Sequence, residues 1–478
     1  MVSPMLFIIA PLAAAFVMII FNNRGLAIAL SLLTPLGLAL LGLSWLPLTL
    51  VQAQPILVAS IPAPLGIPLS LDALGTGMAL LVAASALLVV LYSTVYMQHG
   101  HKQVSYYAVV MLLLTASFGL VLTRDIFNLF VFFEILCISS YILVSWEQDG
   151  AALEASFKYM VLGSIGSTFL LVAIALAYRV AGSLDMASVA TAFAAAPRGY
   201  VVLASVMFLF GIGVEAAIFP VNTWLPDAHS SAPSSVSALL SGFVIELALV
   251  ITFRVLSTVF AAVNMLPVLQ VLALAGVLVG EFSAFGQKDL KRMLAYSSIS
   301  QIGIMLFAFS LGTPTGAQAG LSHLLMHAGA KSALFLIAGY FIVRTGSRLI
   351  EDYQGLGRRM PVSAALFGLA ALSLVGAPPL FGFFTKFQIL SAAADMGGVM
   401  AWFGIAVILF GTVLEAIYLF RVIRVLFGSS EQTARAEMEW PALTAVALFT
   451  ALVVFGALLL PTLSSMIGPI ADGLSTLH

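Results

Sequence analysis

Long apolar runs recur along the chain, parted by short segments that carry Gly, Pro, Asn or charged residues. A helix needs about 20 apolar residues to cross roughly 30 Å of hydrocarbon. By that measure the runs near 3–21, 26–46, 73–97, 105–122, 126–146, 154–180, 200–220, 234–257, 266–286, 291–311, 318–343, 361–379, 400–427 and 440–465 predict fourteen spanning helices. They are too long and too continuously apolar for the alternating strands of about ten residues that build a membrane barrel. The expected fold is therefore all-α and polytopic. The opening run has no basic stretch before it, and Arg24 follows it, so it reads as the first spanning helix and not as a cleaved signal.

Composition agrees with that pattern. Of 478 residues, 62% are hydrophobic and 8% charged, with a mean hydropathy of +1.13; a soluble protein is about a quarter charged. A water-soluble globule is excluded. The formal net charge is −1 and the charges are scattered, so nothing points to a nucleic-acid partner. Cys137 stands alone, cannot form an internal disulfide, and reads as a buried free thiol. With fourteen spans, the odd-numbered connections hold twelve Lys and Arg and the even-numbered ones four. This bias predicts a multi-pass cell (inner) membrane protein with odd loops cytoplasmic and both termini on the other side.

Of the remaining basic residues, Lys158 and Lys331 fall inside predicted spans and Lys386 on the broken stretch after the run at 361–379; Glu134, Glu215, Glu246, Glu415, His323 and His327 also fall inside spans. Ionisable groups at that depth are costly unless paired or hydrated and mark ion pathways. His323, His327 and Lys331 recur every fourth residue and stack on one helix face, as a proton relay requires. Glu281, near a helix end and the basic run QKDLKR, reads as solvated, and that run as a positive anchor. Trp45, Trp146, Trp224, Trp402 and Trp440 fall near span ends, where interface anchors sit.

Two helices read as broken within the membrane: one after Glu215, at Pro220 and Pro226, and one at Pro378, Pro379 and Gly382, just before Lys386. Pro220 frees carbonyls beside Glu215 that would suit a cation or water. GFVIELALVITFRVL and GTVLEAIYLFRVIRVL place Glu246 and Glu415 alike relative to a preceding Gly and a following Arg. The layout expected is residues 1–104 as helices 1–3, residues 105–258 and 259–428 as two five-helix copies, and residues 429–478 as a last helix. Five spans per copy is odd, so the copies must run in opposite senses across the bilayer.

FFEILCISSY, GVEAAIFPVNTWLPDAHSSAPSSVSALLSG, QKDLKRMLAYSSISQIG, HLLMHAGAKSALFLIAG and GAPPLFGFFTKF resemble the antiporter-like subunits shared by respiratory complex I, the multiple-resistance-and-pH (Mrp) cation/proton antiporters and membrane-bound energy-converting hydrogenases, most of all the Mrp D subunit and its hydrogenase counterparts. The resemblance implies an inverted-repeat proton path along the membrane mid-plane. It gives Glu134 the role of the fifth-helix acid, Lys158 the sixth-helix lysine, Lys331 the central group of the eleventh helix and Lys386 the terminal group of the broken twelfth. Glu215 and Glu246 depart from the pattern, standing where the family has lysines.

Two facing carboxylates about 4 Å apart repel by roughly 4 kcal/mol at an effective dielectric of 20. Glu134 and Glu215 must then either share a proton or hold a cation such as sodium, with Glu246 as a further possible ligand. The function expected is ion translocation, of protons and in one version in exchange for sodium, along Glu134, Lys158, Glu215, Glu246, His323, His327, Lys331, Lys386 and Glu415. The alternative is a non-conducting structural or coupling subunit. The partners expected are other membrane subunits of a redox-driven or antiporter complex. No catalytic site and no cofactor are expected on this chain, because no metal-binding cysteine cluster or nucleotide fingerprint occurs. An organic-solute carrier is a third class, for which no solute-sized polar pocket is legible.

Overall fold

The computed structural model describes residues 2–57, 66–98, 102–429, 434–458, 460, 461 and 464. Helices dominate: α1 (Leu6–Phe21), α2 (Arg24–Thr49), α3 (Ala73–Tyr96), α4 (Gln103–Leu122), α5 (Ile126–Val144), α6 (Gly150–Ala181), α7 (Met186–Ala195), α8 (Arg198–Glu215), α9 (Trp224–Ser231), α10 (Ser234–Leu239) and α11 (Ile245–Thr258). Then come α12 (Leu266–Phe285), α13 (Leu290–Ser310), α14 (Pro314–Thr345), α15 (Leu356–Arg359), α16 (Pro361–Val375), α17 (Phe381–Met396), α18 (Gly398–Leu426) and α19 (Trp440–Phe455). One antiparallel hairpin, β1 (Gln54–Leu57) and β2 (Pro68–Leu71), closes the loop before α3.

Each of the fourteen expected runs is helical over most of its described part; residues 459, 462, 463 and 465 of the last run lie outside the described residues, as do 430–433 and 466–478. Among the described residues, eleven helices are long and apolar enough to cross a membrane, counting Ser234–Thr258 as one helix with a π turn at Leu240–Val244. The runs at α1, α16 and α19 are shorter apolar helices. The chain is a polytopic helical membrane protein. Two helices beyond the expected runs stand out: α7, in the connection after α6, and α17, which restarts after the Pro pair and carries Lys386.

Caps fix where the helices begin. Asp125 starts α5 by accepting from the backbone N–H of Phe127 and Asn128, and Asp289 starts α13 by accepting from that of Arg292. The two sites repeat one construction. Ile126 N–H donates to Leu184 O and Met186 N–H to Arg124 O; Leu290 N–H donates to Arg348 O and Ile350 N–H to Lys288 O. The helix that follows has 32 residues in each case, α6 and α14, and ends on a left-handed glycine, Gly182 or Gly346. A break follows in each: α8 stops at Glu215 and resumes as α9, and α16 stops at Val375 and resumes as α17. At the second break Gly376 has φ 91°, and a Cβ on Gly382 would lie 1.7 Å from Ser373 O, so the two halves meet where only glycine fits.

Burial is greatest in the middle of the fold. The spanning stretches of α10 with α11, α13 and α14 are almost wholly enclosed, while α2 and α6 present much of their surface outward. Glu246, Lys291, His323, His327 and Lys331 sit on these enclosed helices, whereas Glu134, Lys158, Glu215, Glu281, Lys386 and Glu415 sit on others.

Candidate functional site

Glu415, near the middle of α18, is the hub of a buried polar network. Its Oε1 accepts from Gln301 Nε2 at 2.8 Å and Ser297 Oγ at 3.3 Å, and its Oε2 from Lys386 Nζ at 2.8 Å. Lys386 also donates to Val375 O at the break, 3.3 Å, and to Thr412 Oγ1, 3.4 Å. Lys331 donates to Ser297 Oγ at 2.7 Å and Leu294 O at 2.9 Å. From Lys331 through Ser297 and Glu415 to Lys386 every link is a hydrogen bond, and all four side chains are buried.

His323 joins the same hub. One ring nitrogen lies 2.7 Å from Gln301 Oε1 and the other 2.9 Å from Thr385 Oγ1 on α17. His327, one turn on, meets Glu246 of α11 at 2.7 Å, both side chains fully buried. The expected column on α14 exists, but its members turn to different helices: His323 to α13 and α17, His327 to α11, Lys331 to α13. The Glu246–His327 contact joins the two halves of the fold, and Ser241 and Ser298, 3.0 Å apart, cross it nearby.

The first half is built differently. Glu215, fully buried, accepts from Tyr159 OH at 2.5 Å and Cys137 Sγ at 3.4 Å. The Tyr159 ring stacks on Trp224, with centroids 3.7 Å apart and planes 2° from parallel, and meets the edge of Tyr141 at 4.5 Å. Half-buried Glu134 accepts from the Ser167 hydroxyl of α6. Counted from the capping aspartates, Ser167 and Lys331 hold the same position, and they tie α6 to α5 and α14 to α13 respectively.

Several expectations need correction. Glu134, Glu215 and Glu246 have different partners, Ser167, Tyr159 with Cys137, and His327, although Glu134 lies within electrostatic reach of Glu215. Among the described residues no group of three or more His, Cys, Asp or Glu could hold a metal ion. Two carbonyls near Glu215 are taken internally, Val214 O by the Trp224 indole at 2.7 Å and Gly213 O by Ile218 N–H at 2.9 Å. Lys158 points outward, its side chain half exposed, and binds Glu154 at 2.8 Å and Asp227 at 3.0 Å; Arg292 meets the other oxygen of Asp227 at 2.7 Å. Trp224 is core and no interface anchor, because its indole is needed at the break.

Glu281 is 1% exposed, sealed by α13 and α18. In the QKDLKR run Lys291 is likewise buried, donating to Ala232 O where α9 gives way to α10. Sequence reasoning also missed Ser297, Gln301, Tyr159 and Ser167. Ser297 and Gln301 left a signal, two polar residues four apart in an apolar helix; Tyr159 and Ser167 left none.

Asp72, the cap of α3, binds Arg124 at 3.0 Å and also Arg254, tying the α4–α5 turn and α11 to α3. Burial alone would push its carboxyl up, but the Arg254 and Arg124 guanidiniums hold it below the usual carboxylate range.

Comparison with known proteins follows this geometry closely. Residues 123–415 match the family model described as NADH:quinone oxidoreductase/Mrp antiporter, TM. The NADH-quinone oxidoreductase subunit N of Desulforudis audaxviator is 34% identical over 451 residues, 92% of this chain and 89% of that protein. The D subunit of the Na(+)/H(+) antiporter of Bacillus subtilis is 32% identical over 332 residues, 68% of this chain and 67% of that protein. A chain in the structure of the membrane-bound sulfane sulfur reductase, an archaeal respiratory membrane complex, superposes with a TM-score of 0.92 at 31% identity, covering 99% of this chain and 98% of that one. The chain belongs to the NADH:quinone oxidoreductase/Mrp antiporter family of membrane proteins, the antiporter-like subunits that the sequence motifs pointed to.

Proposed function

We propose that the chain moves protons along a mid-membrane axis within a larger membrane complex. The observation that carries this reading is the buried hydrogen-bonded run from Lys331 through Ser297 and Glu415 to Lys386, joined by His323 through Gln301. A membrane protein that needed only to hold its helices together would gain little from two ammonium groups at this depth, since removing ions from water costs several kcal/mol each. Groups that exchange protons, placed one hydrogen bond apart, are what a relay needs.

We assign the axis to Glu134, Glu215, Glu246, His327, His323, Lys331, Glu415 and Lys386, with Lys158 and Asp227 at its outer edge. The fourteen helical runs are read as fourteen spans with both termini on the non-cytoplasmic side. Residues 105–258 and 259–428 are read as copies of opposite orientation, flanked by 1–104 and 429–478. The repeated aspartate caps, the two 32-residue helices and the two breaks support that reading. Its consequence is a half-path from each face, meeting at Glu246 and His327.

Neighbouring membrane subunits are the partners this reading requires, in keeping with relatives named as subunits of a quinone oxidoreductase and of an antiporter. Proton conduction is favoured over sodium exchange because the three acids first considered for a cation bind hydroxyl, thiol and imidazole groups instead. The test is Glu415→Gln in the assembled complex, reconstituted in vesicles and followed with a pH-sensitive dye. Loss of the proton gradient with assembly intact is expected; an unchanged gradient would make the chain a structural or coupling subunit. A sodium gradient formed by the wild type in step with proton flux would restore the exchange reading.

A further inference from the structure

Glu281 has no part in the axis as drawn, yet it is sealed in the same half of the fold. It lies on α12, which packs against α13 and α18, and Glu415 and Lys386 are within its electrostatic reach. No ion pair to it exists among the described residues. Lys386 is taken up by Glu415, Val375 O and Thr412, and Lys331 by Leu294 O and Ser297. A buried carboxyl without a cation of its own can change charge only by exchanging a proton with a neighbour.

The surroundings are built to admit it. Gly411 lies one turn before Glu415 on α18, and a Cβ there would stand 3.2 Å from Glu281 Cγ, so the glycine leaves room for the acid between α12 and α18. Ser300 and Tyr418 are its polar neighbours. Glu281 Oε2, Ser300 Oγ and Tyr418 OH are all buried, and none makes a hydrogen bond of ordinary geometry. Three such atoms at one place are unusual in a folded interior, where buried polar groups are paired.

Position gives the cluster a direction. Glu281 is about 6 Å from the end of α12 at the helical rise of 1.5 Å per residue. The 286–289 turn follows, where Arg421 of α18 donates to Gln287 O at 2.5 Å. From Glu415 toward Arg421, and from Glu281 toward Gln287, the two helices run to the same end of the fold.

We propose that Glu281 receives the proton from Glu415 and passes it toward the 286–289 turn, giving the second half of the axis its outlet. The inference rests on the proton-conducting reading. In the step, the Glu415 carboxylate first takes a proton from the Lys386 ammonium, an N–H breaking as an O–H forms, and then gives it up, returning to the carboxylate that Lys386, reprotonated along the axis, holds. The carboxylate of Glu281 gains that proton as O–H, and no other bond changes. Tyr418 and Ser300 stand beside the transfer as donors and acceptors.

The test is Glu281→Gln in the assembled complex in vesicles, beside Glu415→Gln. Proton flux is expected to fall about a hundredfold in each, the scale set by losing a positioned proton-transfer group. Glu281→Asp should recover part of it. The infrared band of a protonated carboxyl that changes during turnover should be missing in E281Q. Wild-type flux in E281Q with none in E415Q, or an unaltered infrared band, overturns the proposal and leaves the axis standing. Wild-type flux in both removes the axis and the outlet together. Should E281Q fail to assemble, Tyr418→Phe decides: its hydroxyl would bond to the Glu281 carboxyl as the proton arrives, so about a fivefold slowing is expected, and an unchanged rate refutes the outlet.

Discussion

Glu415 accepts three hydrogen bonds, and Glu215 accepts two from groups that carry no charge. The two acids thus represent opposite answers to burial: one is matched to an ammonium, the other is enclosed by a phenol and a thiol. Tyr159→Phe would leave one oxygen of Glu215 without its donor. A loss of about 1–3 kcal/mol is expected, seen as a lower melting temperature of the purified protein, with Glu215→Gln in the same background returning part of it. At Asp72 the sign with pH is fixed. Its carboxyl is held below its unfolded value of about 3.9, so its contribution is complete above that pH and is lost as pH falls through the folded value. Asp72→Asn should therefore destabilise the protein at neutral pH, and the gap from wild type should close only below about pH 4 in thermal unfolding. At this scale the sequence was a fair guide to which residues matter and a poor one to their contacts. The spacing of His323, His327 and Lys331 was legible. The outward turn of Lys158, the burial of Glu281 and the stacking of Trp224 on Tyr159 depend on which helix lies opposite, and no local pattern records that.

Elements were more legible, because helix length, proline and cap residues act locally. The expected apolar runs are helical over most of their described parts; the breaks contain Pro220 and the Pro378–Pro379 pair, whereas Pro226 lies in the first turn of α9. The continuation as α17 lies beyond the apolar run at 361–379, but a broken twelfth helix carrying Lys386 was expected there; α17 starts without a capping side chain. The two breaks are closed by side chains: Trp224 covers Val214 O, and Lys386 covers Val375 O. At the second break the fit is tight enough to test. Gly382→Val adds bulk where even a Cβ would strike Ser373 O. It should cost about 3 kcal/mol or more and loosen the α16–α17 junction, seen as faster hydrogen exchange at residues 376–385. Wild-type exchange there would show that the junction yields without cost. Asp125→Ala and Asp289→Ala should each cost about 1 kcal/mol, and similar losses would fit their equivalent places at the starts of α5 and α13.

At the scale of the molecule, the chain divides its ionisable groups unequally. Residues 259–428 hold Lys331, Lys386, both histidines and the paired Glu415, whereas Glu134 and Glu215 are met by hydroxyl, thiol and aromatic groups. The Glu246–His327 contact bridges the two. The scarcity of charge made each such residue visible in the sequence, but the division between halves emerges only from packing. In the proposed axis Lys331 reaches the Glu415 hub through Ser297, while His323 reaches it through Gln301, so Lys331 is the ionisable group whose removal cuts the proposed run. Proton flux into vesicles holding the assembled complex with Lys331→Ala, scaled to the amount of complex present, is therefore the most direct measurement. The account predicts a fully assembled complex with proton flux lost, and wild-type flux in that variant would contradict it.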